Sequence, residues 1–227
     1  MDAKAVDAKA AEQKPEHWLR WLVPPALVLI LIIVVRSLLV APFSIPSGSM
    51  EHTLEVGDRI LVNRTIDPVD IQRGDIIVFD AAKAFGITSE GGGLLRTILD
   101  AAGGLIGQGP ETDYVKRVIG LPGDHIVCCD ATGKLVINGV AVNEPYLYPG
   151  DKPSDNPFDV TVPAGKFWVM GDHRSLSADS RAHLGGPGGG TVPGEDIIGK
   201  VWVRYWPLGR LERIDQGQLS SVPRNGE

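Results

Sequence analysis

"KLVINGVAVNE", Lys134 to Glu144, is two short alternating apolar runs on either side of Asn138-Gly139. Alternation at period two puts Leu135 and Ile137 on one face of a strand, and Asn-Gly supplies both positive-φ positions of a type I′ turn, so the stretch predicts a β-hairpin. Runs of the same kind recur outward from it: "DRILVNR" (58–64), "GDIIVFD" (74–80), "DYVKRVIG" (113–120), "HIVCC" (125–129), "KFWVMGD" (166–172) and "IIGKVWVRYW" (197–206). The 28 Gly and 17 Pro of the 227 residues punctuate them. No repeat is apparent and no long helices alternate with the strands, which argues against a parallel α/β sheet. The expectation is a mainly β, antiparallel domain.

The most apolar run, Trp21 to Val35, precedes these strands. As a helix it would span about 22 Å, short of a hydrocarbon core of roughly 30 Å, so it must borrow from its flanks as far as Phe43, with Arg36 snorkelling near one end. Trp18 and Trp21 suit the opposite headgroup belt. A cleavable signal peptide is the competing reading. Its cleavage site would be Leu39-Val40-Ala41, with a large residue where a small one is wanted and Pro42 directly after, so an uncleaved anchor is expected. Lys4, Lys9, Lys14 and Arg20 precede the span and Arg36 alone lies at its far edge, which places the N-terminus inside. The expected organisation is an N-terminal cytoplasmic tail (1–17), one transmembrane anchor (18–43), a β domain (44–207) and a C-terminal tail (208–227). Within the β domain, 81–112 reads as an insert. Leu94, Leu95, Ile98, Leu99, Ala102 and Leu105 recur there at helical spacing, as expected of a short helix lying on the membrane surface or packed on the domain.

Lys and Arg number 22 against 28 Asp and Glu, a net charge of −6, and no basic block is present, so nucleic-acid binding is not expected. Cys128 and Cys129 are adjacent, and in extended backbone they would point to opposite faces, so a disulfide between them is not expected. Their spacing fits no zinc pattern and the five histidines are dispersed. Neither a metal nor an organic cofactor is expected.

Two stretches carry candidate chemistry. "PSGSM" (46–50) sets Ser47 and Ser49 around Gly48 where the apolar segment ends. A serine hydroxyl needs a base, yet Ser49 lies in neither a G-x-S-x-G elbow, since Ser47 and Glu51 flank it, nor an S-x-x-K motif, since His52 stands three residues on. In "DYVKRVIGLPGD" (113–124), Lys116 and Arg117 point to opposite faces of one strand among apolar neighbours, so one of them is expected to face inward. A buried lysine without a carboxylate partner sheds its charge and becomes a usable base. The bland alternative is a lysine snorkelling along an edge strand.

Together "FSIPSGSM" (43–50), "RGDIIVF" (73–79), "DYVKRVIGLPGD" (113–124) and "GDHRSLSADSR" (171–181), in this order after an anchor, resemble the motifs of bacterial type I signal peptidases. The resemblance covers about 40–80 and 113–206. It implies an antiparallel sheet or partly open barrel, and a membrane-anchored serine endopeptidase that removes signal peptides from exported preproteins after small residues at −1 and −3. It makes Ser49 the nucleophile and Lys116 the general base, with Ser47 and the Ser49 N–H as oxyanion hole. Ser177 would orient the lysine, Asp179 and Arg181 would hold the Ser177 loop, and Phe43, Ile45 and Val115 would wall the substrate pockets. The implied location is the bacterial plasma membrane, single-pass, with the catalytic domain extracytoplasmic. Implied partners are preproteins, membrane lipids and the protein-export machinery. His173 stands where asparagine is more usual, and "GGPGGG" (185–190) follows the last motif. The endoplasmic-reticulum branch is expected to carry histidine in place of the lysine, so Lys116 points to the bacterial type. Two other readings are weighed: a non-enzymatic, membrane-tethered β domain that binds extended peptides, and a Ser/Lys self-cleaving regulator, for which no DNA-binding region is evident.

Overall fold

The computed structural model describes residues 19–87, 112–214, 219 and 222, with side chains at all of these except 19, 20 and 35–38. The chain divides into two compact units, Met1–Leu38 and Leu39–Glu227. Nearly all of helix α1, Leu19–Leu39, lies in the first, and it contains Pro24 and Pro25. Its side chains at 21–34 are exposed and, apart from the prolines and Ala26, are all large and apolar. Among the described residues, no helix is long and apolar enough to cross a membrane.

The second unit is built from β1 Val40–Ser44, β2 Arg59–Asn63, β3 Ile76–Asp80, α2 Ala81–Phe85, β4 Asp113–Gly120, β5 His125–Cys128, β6 Leu135–Ile137, β7 Val140–Ala141, β8 Phe158–Thr161, β9 Lys166–Met170, β10 Val192–Pro193, β11 Ile197–Trp206 and β12 Glu212–Arg213. The larger sheet runs β1-β2-β11-β3-β4-β9-β10, with β12 paired to β11, and the smaller runs β7-β6-β5-β8. Every pairing is antiparallel. The hairpin forms as expected, with φ of 52° at Asn138 and 78° at Gly139. β3 is the most enclosed strand: Ile76, Ile77, Val78 and Phe79 are all buried, because it has a sheet neighbour on each side and a core on each face.

β4 decides the site. It pairs with β3 along Asp113–Arg117, but with β9 only from Arg117 onward. On the β9 side, therefore, the backbone of 113–116 has no strand partner among the described residues, and such an edge is a template for an added strand.

The structure departs from the sequence reading at three places. The apolar segment does not continue as helix to Phe43. From Val40 it is the edge strand β1, where Pro42, which lacks an N–H, is tolerated. Cys128 and Cys129, for which no disulfide was expected, are joined by one, with their Cα atoms 3.0 Å apart. Beyond 207, read as the C-terminal tail 208–227, β12 pairs with β11, and Ile214, Leu219 and Val222 are buried in the core. The start of the 81–112 insert is α2, with Ala81, Ala84 and Phe85 buried. The proposed amphipathic helix falls within 88–111, outside the described residues, as does the tail 1–17.

Candidate active site

β1 delivers the chain to the site, and hydrogen bonds from Ile45 N to Asp58 O and from Gly57 N to Ile45 O fix its exit. A single 3-10 turn, Gly48–Met50, follows, with Ser49 6% exposed and Met50 1%. Met50 and Leu54 pack into a core with Ile60, Ile76 and Val78, so Ser49 stands on a rigid floor rather than a mobile loop.

Lys116, opposite Ile77 on β4, is 4% exposed, and its Nζ lies 2.7 Å from Ser49 Oγ. Nζ also donates to Val115 O at 3.0 Å. Among the described residues it has no carboxylate within ion-pair distance. Burial pulls its pKa down from 10.5 to about 8, against the weaker upward pull of the Asp179 and Asp172 charges. In the amine form, Nζ offers a lone pair to the Ser49 O–H; in the ammonium form it donates to Oγ.

Arg117, on the opposite face of β4, is 1% exposed. Both cations are therefore buried, where one was expected to be. They differ in what they meet: Arg117 Nε and Nη2 grip Asp172 at 2.8 and 2.6 Å, Nη1 donates to Gly74 O, and the guanidinium lies 4.0 Å from the Tyr146 ring centre. That bidentate pairing keeps the arginine charged, while Lys116, with no such partner, is eased toward neutrality. The sequence reading missed Asp172, although Gly-Asp recurs at 57–58, 74–75, 123–124, 150–151 and 171–172.

The segment 171–181 closes the far wall. Gly171 is close-packed: a Cβ there would collide with Ser177 Oγ and with Ser49 O, so only glycine fits between them. Gly171 N donates to Asp179 Oδ2 at 3.0 Å, and Arg181 binds the same carboxylate through Nε at 2.9 Å and Nη2 at 2.8 Å. Burial pushes Asp179 up, but the Arg181 pairing and the Gly171 N–H outweigh it and hold the carboxyl below its usual range. The Ser177 hydroxyl is near enough to Asp179 to add to that effect, yet it meets neither Asp179 nor Lys116 in full hydrogen-bonding geometry. Ser177 thus stands beside the Ser49 turn without a hydrogen bond to Lys116.

Ser47 is exposed and its Oγ lies 3.5 Å from Ser49 Oγ. A cleft of about 260 Å³ opens over the dyad, lined by Ile45, Ser47, Tyr114, Val115, Leu176 and Ala178 among others. Ile45 and Val115 thus stand where pocket walls were expected. Phe43 does not line the cleft; it is 9% exposed in the core beneath it, because residue 43 points inward from β1. Neither nearby histidine engages the serine hydroxyl: His52 Nδ1 meets Tyr146 O at 3.2 Å and His173 Nδ1 meets Glu51 at 2.9 Å. Among the described residues no cluster could hold a metal ion.

Residues 18–206 match the family described as "Signal peptidase, peptidase S26". The chain is 38% identical over 210 residues to a probable signal peptidase I of Mycobacterium leprae, covering 78% of this chain and 72% of the relative. It is 37% identical over 238 residues to a signal peptidase I of Mycobacterium tuberculosis, covering 92% and 80%. A solved signal peptidase I from Enterococcus faecalis is 26% identical and covers 57% of this chain and 94% of its own, at a TM-score of 0.36 that adds nothing to the fold described above. With a match over most of its length and a buried Ser–Lys contact at the mouth of a strand-edged cleft, the chain belongs to the signal peptidase family S26, a family of serine peptidases.

Proposed function

We propose that this protein is a membrane-anchored endopeptidase that removes N-terminal signal peptides from exported preproteins with a Ser49/Lys116 dyad. The observation that carries the reading is the 2.7 Å contact between Ser49 Oγ and an enclosed lysine amine that has no carboxylate partner among the described residues.

The substrate adds as a strand along the unpaired edge of 113–116, which lays its scissile carbonyl over Ser49. Lys116 takes the Ser49 proton as Oγ attacks that carbonyl. The Ser49 N–H and the Ser47 hydroxyl receive the oxyanion, a contribution of roughly 3 to 4 kcal/mol for a well-placed donor. Collapse of the tetrahedral intermediate breaks the C–N bond, and the Lys116 ammonium returns its proton to the leaving amine. Water then hydrolyses the Ser49 ester with Lys116 again as base. Ser177 settles onto the lysine as substrate fills the cleft, since catalytic hydrogen bonds are often incomplete without substrate. The Asp179–Arg181 pair holds its loop. Ile45 and Val115 line the cleft as apolar walls, which supports a preference for small apolar residues at −1 and −3.

For the anchor we propose the apolar run 21–34 of α1 together with the segments that flank it, supported by the large, exposed apolar side chains of that run. The N-terminus then lies in the bacterial cytoplasm and the β domain outside, near membrane lipids and the export machinery. The test is incubation of the purified full-length protein with a preprotein carrying an Ala-x-Ala site, beside Ser49→Ala and Lys116→Ala. Cleavage by wild type alone is expected. Cleavage that survives either substitution rejects the dyad, and failure of wild type on every preprotein favours a non-catalytic peptide-binding domain.

A further inference from the structure

The turn that carries Ser49 is braced from one side by a group outside the dyad. The peptide of Ser49 is tied to the 171–177 segment, because His173 N donates to Ser49 O at 3.1 Å. The His173 side chain doubles that tie: its Nδ1 lies 2.9 Å from Glu51 Oε2, with the two side chains 10% and 26% exposed. The Glu51 carboxylate folds back over Gly48, so closely that a Cβ on Gly48 would sit 2.7 Å from Oε1, while Glu51 N donates to Gly48 O at 3.0 Å. Glu51 thus covers the turn between the two serines. Tyr148 stacks on the His173 ring, centroids 3.8 Å apart and planes within 5°, and its own N–H donates to Asp172 O at 3.0 Å. Asp172 is the carboxylate that grips Arg117, the residue after Lys116.

The geometry points to His173 and Glu51 as positioning residues for the nucleophile: the side-chain pair, steadied by Tyr148, holds the Ser47–Gly48–Ser49 turn against the strand that carries Lys116. This inference rests on the Ser49/Lys116 reading and adds to it the groups that set the distance between its two members. The part of His173 that matters is a donor at the δ position of its side chain. Asparagine, whose amide nitrogen occupies the corresponding δ position, is its functional equivalent, and an imidazole charge is not required. A rigid, undersized error in nucleophile placement lowers the chemical step rather than substrate capture, with losses that reach about 100-fold for displacements near 1 Å.

The experiment measures kcat and KM on a preprotein substrate for His173→Ala, Glu51→Ala, the double variant, His173→Asn and Glu51→Gln in the full-length protein. Ser49→Ala serves as the inactive reference, and thermal unfolding and the pH dependence of kcat are recorded alongside. For His173→Ala and Glu51→Ala the expected result is a kcat loss of roughly 10- to 100-fold with KM within about twofold. The double variant should fall no further than the worse single, since the pair acts as one unit. His173→Asn and Glu51→Gln should stay within about fivefold of wild type, and the acid limb governed by Lys116 should keep its position in every variant. Losses that multiply in the double variant, a His173→Asn enzyme as impaired as His173→Ala, or an effect confined to KM would overturn the inference. Should His173→Ala fail to fold, Glu51→Ala against Glu51→Gln and His173→Asn decide the same question. Full activity in Ser49→Ala would instead reject the dyad itself, an outcome separate from the others.

Discussion

Replacing Lys116 with methionine should abolish cleavage and stabilise the protein, and the stabilisation should disappear at high pH. The enclosed amine has its pKa lowered from 10.5 to about 8, chiefly by burial. At about 1.4 kcal/mol per unit, that difference means holding the ammonium in the folded state costs about 3 kcal/mol. Methionine fills nearly the same volume without a charge, but it forgoes the hydrogen bonds to Val115 O and Ser49 Oγ, together worth about 2 kcal/mol net. A gain of about 1 kcal/mol at pH 7 remains. The unfolded chain keeps the lysine proton up to its ordinary value near 10.5, whereas the folded chain releases it near 8. Between those values the unfolded state binds the extra proton, so wild-type stability rises with pH across that window and the cost is fully present below it. Denaturant unfolding of full-length wild type and Lys116→Met in detergent, from pH 6 to 11, measures the difference directly. A variant less stable than wild type at pH 7, or an advantage unchanged between pH 7 and 10.5, would refute the claim that the amine is held against its charge.

The same titration should govern catalysis: kcat/KM should rise about tenfold between pH 7 and pH 9, with its acid limb near 8, as read from initial rates on a preprotein. Asp172→Ala leaves the Arg117 guanidinium buried without its counter-charge and should cost about 3 to 5 kcal/mol, seen as a large fall in melting temperature or loss of folded protein. Gly171→Ala inserts a methyl between Ser177 Oγ and Ser49 O and should lower kcat by at least about tenfold, measured beside a circular-dichroism check of the fold. The Asp113 carboxyl is raised from 3.8 to about 6 by burial and by Asp80, so it destabilises the fold as pH climbs through that interval. Asp113→Asn should therefore melt higher than wild type at pH 7, by an amount that solvent screening of this partly buried group keeps near about 1 kcal/mol, and show no advantage at pH 4.

What local pattern could reveal was set by period and turn chemistry. Alternating β-branched runs located β2, β3, β4, β5, β9 and β11 to within a few residues, and Asn138-Gly139 placed its hairpin, because these signals reside in neighbouring side chains. β8 at Phe158–Thr161 went unread: four residues between a Pro-Asn-rich stretch and Pro163 are too short for a period to show. That Lys116 and Arg117 are both buried could not be read from alternation either, since the burial of the arginine depends on Asp172, 55 residues downstream of it. Phe43 was misplaced for a related reason, as the same apolar side chain serves a pocket wall or a core equally well. The His173–Glu51 contact joins residues 122 apart and has no local signature. The cysteine pair escaped because both residues were read as continuous strand, whereas β5 ends at Cys128.

Lys116 and Arg117 are consecutive, so a slip of β4 by one position would exchange them. A guanidinium that never gives up its proton would then face the serine, and the amine would be wasted on the carboxylate of Asp172. The arginine clamp is thus a ratchet tooth that admits one setting of the strand, and whatever chain is spliced between β3 and β4 can lengthen or shorten without moving the base.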